Sequence, residues 1–266
     1  MTTTATAQVL RRVPFGVVRD TLAVAQRNLI AYRRVPQLLV FSTIQPVIFV
    51  VMFRYVFGGA IRLDVPVDYV DFLMPGVFVQ TVVFGALATA VGLAADLKSG
   101  LLERFRSLPM SRSAVLAGRT IADLTRNVFV VTLMVVVGVL VGFRIHGGVP
   151  ALVLGMLLVL LFGFALSWIF ATVGLLVGDP ETAQAAAFPV IAPLVFASSA
   201  FVPVESMPGW LQVFAEHQPV SVTASAVRAL VLGTPAASLV WQSIAWAVGI
   251  IVVFAPIAVL RYRRAV

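Results

Sequence analysis

The residues best placed to do chemistry lie in one short charged segment, residues 96–112. Within it, Gly100 and Pro109 bound a predicted short helix. Its apolar positions share one face, and its charged positions lie off that face. They are Leu101, Leu102, Phe105 and Leu108, and Glu103, Arg104 and Arg106. This pattern favours docking into a groove on another protein, with Phe105 as anchor and the arginines paired to carboxylates. The alternative is a simple positively charged loop, and the residues alone leave both open.

Catalytic motifs are missing from the sequence. There is no cysteine, and the two histidines, His146 and His217, lie far apart, so no thiol chemistry and no metal site are expected. A phosphate-binding P-loop requires glycine directly before lysine, whereas the single lysine, Lys98, follows Leu97. We therefore expect this chain to hold no catalytic residue, no metal and no cofactor of its own.

The composition is that of a membrane protein. Hydrophobic residues make up 61% of the 266 residues and charged residues 11%, whereas soluble domains carry about 45–50% apolar and about 25% charged residues. A soluble globule and a disordered chain are both excluded as the default interpretation. The net charge of +8 indicates basic loops at a lipid bilayer rather than a nucleic-acid partner, because of its distribution along the chain.

The elements that carry these charges are predicted to be helices only. A span needs about 20 apolar residues, and six stretches qualify. They are residues 37–57, 72–95, 120–143, 150–177, 183–203 and 238–260. A basic amphipathic helix over residues 10–34 precedes them, and we expect it to lie on the membrane surface; an ordinary solvated helix is the alternative. Asp179 is a plausible N-cap for the fifth span, with Pro180 at its first helical position.

Orientation follows from the basic residues. With six spans, 15 of the 19 lysines and arginines fall on the side that also holds both termini, so both termini are predicted to be cytoplasmic. The loop 96–119 then lies inside. The segment 204–237 lies outside, and its two predicted short helices are too short to span, which favours a re-entrant or interfacial pair.

Charges inside the spans are scarce. Asp123 and Arg126, three residues apart near one end of the third span, are predicted to form a structural ion pair. Ion-coupled carriers usually place ionisable groups at mid-depth, so the sequence argues against a secondary carrier.

Five motifs in order along the chain resemble the membrane subunits of type-2 ABC transporters, in particular daunorubicin/doxorubicin-resistance-like efflux permeases. They are Met74-Pro75-Gly76, the stretch 99–112, Glu181-Thr182-Ala183, the stretch 201–210, and Pro219 with Arg228, Leu230 and Gly233. Leu101 stands where threonine is common in the family, and Gln218 where asparagine is usual. The resemblance covers nearly the whole chain.

The resemblance implies a single transmembrane domain over residues 1–266 in the cell membrane. It implies a permease subunit that moves an amphipathic drug or natural product outward. Two such permeases pair, as a homodimer or a heterodimer, and two separate ATPase subunits bind ATP and Mg²⁺ and supply the energy. Export of a lipid or lipid-linked glycan is an alternative within the family, and a non-transporting membrane scaffold is an alternative of another class.

The resemblance also assigns residues. Those that couple to the ATPase partner are Gly100, Leu101, Leu102, Glu103, Arg104, Phe105, Arg106, Leu108 and Pro109. The candidates for an outer exit gate are Phe201, Pro203, Met207, Pro208, Trp210, Pro219 and Arg228.

Overall fold

The computed structural model describes residues 14–34, 37–58, 67–101 and 112–265, and its regular structure there is helical throughout. The α-helices are α1 Pro14–Arg34, α2 Gln37–Val51, α3 Tyr69–Lys98, α4 Arg112–Val141, α5 Gly148–Val177, α6 Pro180–Phe196, α7 Gly209–His217, α8 Pro219–Leu232 and α9 Ala237–Ala265. A π-helical turn, Met52–Phe57, continues α2, and a 3₁₀ turn, Val204–Ser206, precedes α7.

Four of these helices are long and apolar enough to cross a membrane: Tyr69–Lys98, Leu116–Val141, Gly148–Val177 and Ala237–Arg263. The predicted all-helical, multi-pass membrane protein is therefore confirmed. Over the predicted first span, residues 37–57, the chain is helical throughout, as α2 and the π-helical turn that continues it. Over the predicted fifth span the helix is shorter, since α6 has 17 residues. The count of six spans and the re-entrant placement of α7 and α8 stay predictions.

Helix α6 begins where its cap predicts and ends earlier than the apolar stretch does. The Asp179 carboxylate accepts a hydrogen bond from the backbone N–H of Thr182 at 3.0 Å, and Pro180 occupies the first turn. After Phe196 the chain leaves the helix, and the Ser198 hydroxyl donates back to the Val195 carbonyl. Residues 197–203 are apolar enough to read as helix from sequence, but they form an irregular segment.

Helix α3 is the centre of the bundle. It packs against α2, α4, α5, α6 and α8, and every residue from Tyr69 to Val83 is buried. Its most apolar 18-residue stretch is 67% buried, against 22% for the corresponding stretch of α9. A helix that is apolar on all sides belongs in the interior, and α3 packs against more of its surroundings than the peripheral span α9 does.

One close approach ties the start of α3 to the irregular segment. A Cβ atom added at Gly76 would overlap the backbone carbonyl of Ala200. Because the obstacle is backbone and not the end of a flexible side chain, glycine is the residue that lets these two chain segments meet.

We predict that Gly76→Ala lowers the thermal stability of the purified protein. The added methyl overpacks a buried contact, at a cost of about 1–3 kcal/mol, which corresponds to several degrees in Tm. Gly249→Ala in α9 is the matched control, because nothing lies within 4 Å of a Cβ there. Equal melting temperatures for the two variants, measured in the same detergent, would contradict the close contact at Gly76.

Candidate functional site

The predicted coupling segment begins directly after α3. Gly100 has a positive φ of 68° and donates its N–H to the Leu97 carbonyl at 3.0 Å, which ends the helix in the manner of a glycine C-cap. Leu101 follows and is half-buried. The other predicted coupling residues lie outside the described residues. They are Leu102, Glu103, Arg104, Phe105, Arg106, Leu108 and Pro109.

Three ion pairs connect the helices on both sides of that segment. The Asp96 carboxylate on α3 lies 2.7 Å from Arg119 Nη1 on α4 and 3.7 Å from Arg27 Nη2 on α1. Lys98 Nζ, at the end of α3, lies 2.7 Å from Asp179 Oδ1, which also caps α6. The start and the end of residues 102–111 are thus anchored on a frame that joins α1, α3, α4 and α6.

The Lys98–Asp179 pair is exposed, and it changes the pKa of the Asp179 carboxyl group. The hydrogen bond from Lys98 lowers the pKa of Asp179 from 3.8 to about 2, with the Thr182 hydrogen bonds adding to it. Asp179 therefore keeps its negative charge, and with it both the ion pair and the helix cap, at all physiological pH values.

Sequence reasoning did not single out Asp96, Lys98 or Arg119 as members of a site. The available signal was that opposite charges stand at the predicted inner ends of the second, third and fifth spans. That signal gives no pairing, because the neighbours of a helix end depend on how the helices are arranged.

Arg228 joins three parts of the molecule at the opposite end of the bundle. From α8, its Nε donates to the Phe72 carbonyl at 3.0 Å, and its Nη2 donates to the Ser199 carbonyl at 2.7 Å. The guanidinium carbon lies 3.7 Å from the centre of the Phe72 ring, a cation–π contact. We call residues 197–203, together with the start of α3 and with α8, the outer junction, because the orientation predicted from the sequence places this end outside.

Phe201 is the apolar centre of the outer junction. It is 3% exposed, and its ring stacks on that of Phe53 with the centroids 4.5 Å apart. The rings of Phe49 and Phe196 lie within 6.0 Å of it. Its carbonyl accepts a hydrogen bond from the Tyr69 hydroxyl at 2.8 Å. Phe201 thereby brings the end of α2 and the start of α3 to the same point.

The Gln218 side chain forms hydrogen bonds with backbone carbonyls at the end of α6. Its side-chain amide donates to the carbonyls of Leu194 and Ala197 at 2.8 and 2.9 Å. Pro219, a predicted gate residue, follows as the first residue of α8. The Ser221 hydroxyl accepts from the backbone N–H of Ser199 at 3.0 Å. The departure from the family pattern at position 218 thus retains a side-chain amide.

Of the remaining predicted gate residues, Pro203 closes the junction segment, and the other three follow it along the chain. Pro203 and Met207 flank the 3₁₀ turn and are half-buried, whereas Pro208 precedes α7 and is exposed. Trp210 is 78% exposed. The structure brings Phe201 and Arg228 together and does not place Trp210 with them.

The charged pair within the bundle is less simple than its spacing predicts. Arg126 Nη1 lies 3.9 Å from Asp123 Oδ1, a loose contact. The short hydrogen bonds go to α3: Thr89 Oγ1 donates to Asp123 Oδ2 at 2.7 Å, and Arg126 Nη2 donates to the Gly85 carbonyl. The i,i+3 spacing identified the two residues but not the partners on the neighbouring helix.

Comparison with known proteins places this arrangement in context. The ABC-2 type transporter family matches residues 19–232. The chain is 38% identical over 247 residues to a daunorubicin resistance ABC transporter permease of Streptomyces coeruleorubidus, covering 93% of this chain and 87% of that protein. It is 28% identical over 248 residues to a probable doxorubicin resistance ABC transporter permease of Mycobacterium tuberculosis, covering 93% and 90%. It is 25% identical over 219 residues to a putative transport permease of Cyanophora paradoxa, covering 81% and 75%.

We predict that Arg228→Ala destabilises the folded protein. The change removes the donor to two carbonyls of the outer junction, and an unpaired buried carbonyl costs about 1–3 kcal/mol. Arg228→Lys, which cannot bridge both carbonyls, should fall between wild type and Arg228→Ala. Arg144→Ala is the control, because Arg144 is an exposed arginine next to α4. A melting temperature for Arg228→Ala equal to that of Arg144→Ala would show that Arg228 does not hold the junction.

Proposed function

Because this chain belongs to the ABC-2 type transporter family, we propose that it is the permease subunit of an ATP-driven exporter that moves an amphipathic drug or natural product out of the cell. The observation that carries the cargo proposal is the 38% identity, over 93% of this chain, to a permease named for daunorubicin resistance. The energy comes from a separate ATPase subunit, since Lys98 stands in no P-loop.

The proposed complex contains two permeases, identical or related, and two ATPase subunits that bind ATP and Mg²⁺. Closure of the ATPase pair moves the permease through residues 100–109, in which Phe105 is the apolar anchor and Glu103, Arg104 and Arg106 supply the charged contacts. The Asp96–Arg119 and Lys98–Asp179 pairs support this mechanism, because they connect the flanks of that segment to α3, α4 and α6.

Movement at the inner end reaches the outer junction through α3. The helix has Lys98 at one end and, at the other, Tyr69 and Phe72, which contact Phe201 and Arg228. A buried helix of 30 residues is about 45 Å long and moves as one rigid element. In this proposal, Phe201 and Arg228 hold the exit closed until α3 shifts.

The proposed function is tested with the chain and its ATPase partner reconstituted into lipid vesicles. A pull-down from the native membrane identifies the partner as a protein with a G-x-x-x-x-G-K-[ST] motif. ATP-dependent accumulation of daunorubicin is then expected. ATPase stimulation by a lipid-linked glycan, with none by daunorubicin, would assign the other cargo. A chain that co-purifies with no ATPase subunit would point to a scaffold.

We predict that Glu103→Ala combined with Phe105→Ala uncouples ATP hydrolysis from transport. The partner loses its apolar anchor and one charged contact, so we expect ATPase activity to continue while daunorubicin transport falls at least tenfold. The matched control is Phe214→Ala with Glu216→Ala, which changes the same two residue types at the same spacing on exposed positions of α7. Wild-type transport by the 103/105 variant would refute the coupling assignment.

The proposed orientation is tested by single cysteines, since the chain contains none. On intact cells, a membrane-impermeant maleimide is expected to label Trp210→Cys, whose position is 78% exposed. Lys98→Cys, also at an exposed position, should react only after the membrane is permeabilised. Phe201→Cys, at a buried position, serves as the unlabelled control. The reverse pattern would place both termini outside.

A further inference from the structure

A cleft of about 90 Å³ opens among α2, α3 and α4, away from both ends of the bundle. Polar side chains from all three helices line it. They are Ser42 and Gln45 from α2, Thr81 from α3, and Arg126 and Asn127 from α4. Such a concentration of polar groups within membrane-spanning helices is costly to maintain and usually marks a functional site.

The cleft lies deep in the bundle. Along α4, Arg126 is 15 residues from Val141, roughly 22 Å at about 1.5 Å per residue. Along α3, Gly85 is 16 residues from Tyr69, roughly 24 Å. The hydrocarbon core of a bilayer is about 30 Å thick. With the orientation proposed above, the cleft opens at the depth of the inner leaflet.

The polar wall of the cleft is held in place by backbone and by small residues. Arg126 and Asn127 are 6% and 4% exposed. Arg126 Nη2 donates to the Gly85 carbonyl and, at 3.3 Å, to Asn127 Oδ1. A Cβ added at Gly85 would stand 2.7 Å from Asn127 Oδ1, so glycine at this position leaves the space that Asn127 occupies.

The cleft offers hydrogen bonds without a net charge. Asp123, 2% exposed, lies behind Arg126 at 3.9 Å and balances its positive charge. Amide, hydroxyl and guanidinium groups beside a neutral ion pair suit an uncharged polar group such as a carbonyl or a hydroxyl. Phe84 adds an apolar wall.

The mouth of the cleft faces sideways. Gln45 lines the cleft and is exposed. Its neighbours on α2, Ile44 and Ile48, are 42% and 56% exposed, and Phe129 on α4 is 52% exposed. A molecule with a polar head and an apolar body is therefore matched on both sides, with its head in the cleft and its body against these apolar side chains.

We propose that this cleft between α2, α3 and α4 is a binding site for an uncharged hydrogen-bonding group of the amphipathic cargo, a carbonyl or a hydroxyl, and that the cargo reaches it sideways from the inner leaflet. This proposal rests on the export function proposed above. Drug-sized ligands usually fill pockets of about 300–1,000 Å³, so the cleft takes only that part of the molecule.

The test either fills the cleft or removes a polar group from it, and it leaves Arg126 and Asp123 unchanged. Ala88→Leu projects a larger side chain into the cleft, which Ala88 lines, and Gln45→Leu removes the polar group at its mouth. Ala245→Leu at an exposed position of α9 is the matched control. Each variant is reconstituted with the ATPase partner in phosphatidylcholine vesicles, and daunorubicin is the probe for both binding and transport.

We expect Ala88→Leu to weaken daunorubicin binding at least tenfold and Gln45→Leu about fivefold, with a matching rise in the concentration that gives half-maximal transport. Ala245→Leu should behave as wild type. Because Gln45 is exposed, its variant tests the site even where Ala88→Leu fails to fold.

The outcomes separate the two proposals. Wild-type binding and half-maximal concentration in both cleft variants, with transport intact, would overturn the cleft and leave the export function standing. Absence of daunorubicin transport by the wild-type complex would overturn both. Phosphatidylglycerol binding that Ala88→Leu weakens, together with unchanged daunorubicin binding in the same variant, would assign the cleft to a lipid head group and overturn its role for cargo.

Discussion

Irregular backbone in an apolar protein must have its polar groups paired by the protein itself, since no water is at hand to pair them. The outer junction follows from this constraint. Where the chain leaves α6, side chains from α3 and α8 pair its carbonyls: Gln218 those of Leu194 and Ala197, Arg228 that of Ser199, and Tyr69 that of Phe201. The break in the helix is therefore also the place where three helices are fastened together. The carbonyls that the end of α6 leaves without helical partners are therefore the groups through which the neighbouring elements contact this segment.

The two ends of the bundle are held by different physics. The inner end uses ion pairs between partly exposed side chains, whose strength water and salt reduce. The other end uses buried and partly buried hydrogen bonds together with stacked rings, which water weakens less. Helix α3 takes part in both. If the proposed coupling holds, movement begins at the end held by ion pairs, and the end held by the junction resists it.

The sequence predicted features that depend on neighbouring residues in the chain, but not the arrangement of the helices. Composition and hydropathy predicted an all-helical membrane protein, and the Asp179-Pro180 pattern predicted the start of α6, because both depend on neighbours in the chain. The partners of Arg228 and Asp123 belong to other helices, so no spacing within one helix reveals them. Residues 197–203 illustrate the same limit: their hydropathy suits a span, and the side chains that pair their backbone groups outside the helix come from distant parts of the chain. The coupling role of residues 102–109 remains a prediction from the sequence.

The bond between Arg228 and the Phe72 carbonyl joins residues 156 positions apart, and that between Tyr69 and Phe201 joins residues 132 positions apart. During synthesis, α3 is in the membrane long before its fastening partner in α8 has been made. Until then the nascent chain lacks the hydrogen bonds from α8 at its outer end. The junction is consequently complete only after nearly the whole polypeptide has been synthesised. A chain truncated before α8 lacks Arg228, and the carbonyls of Phe72 and Ser199 are then without this donor.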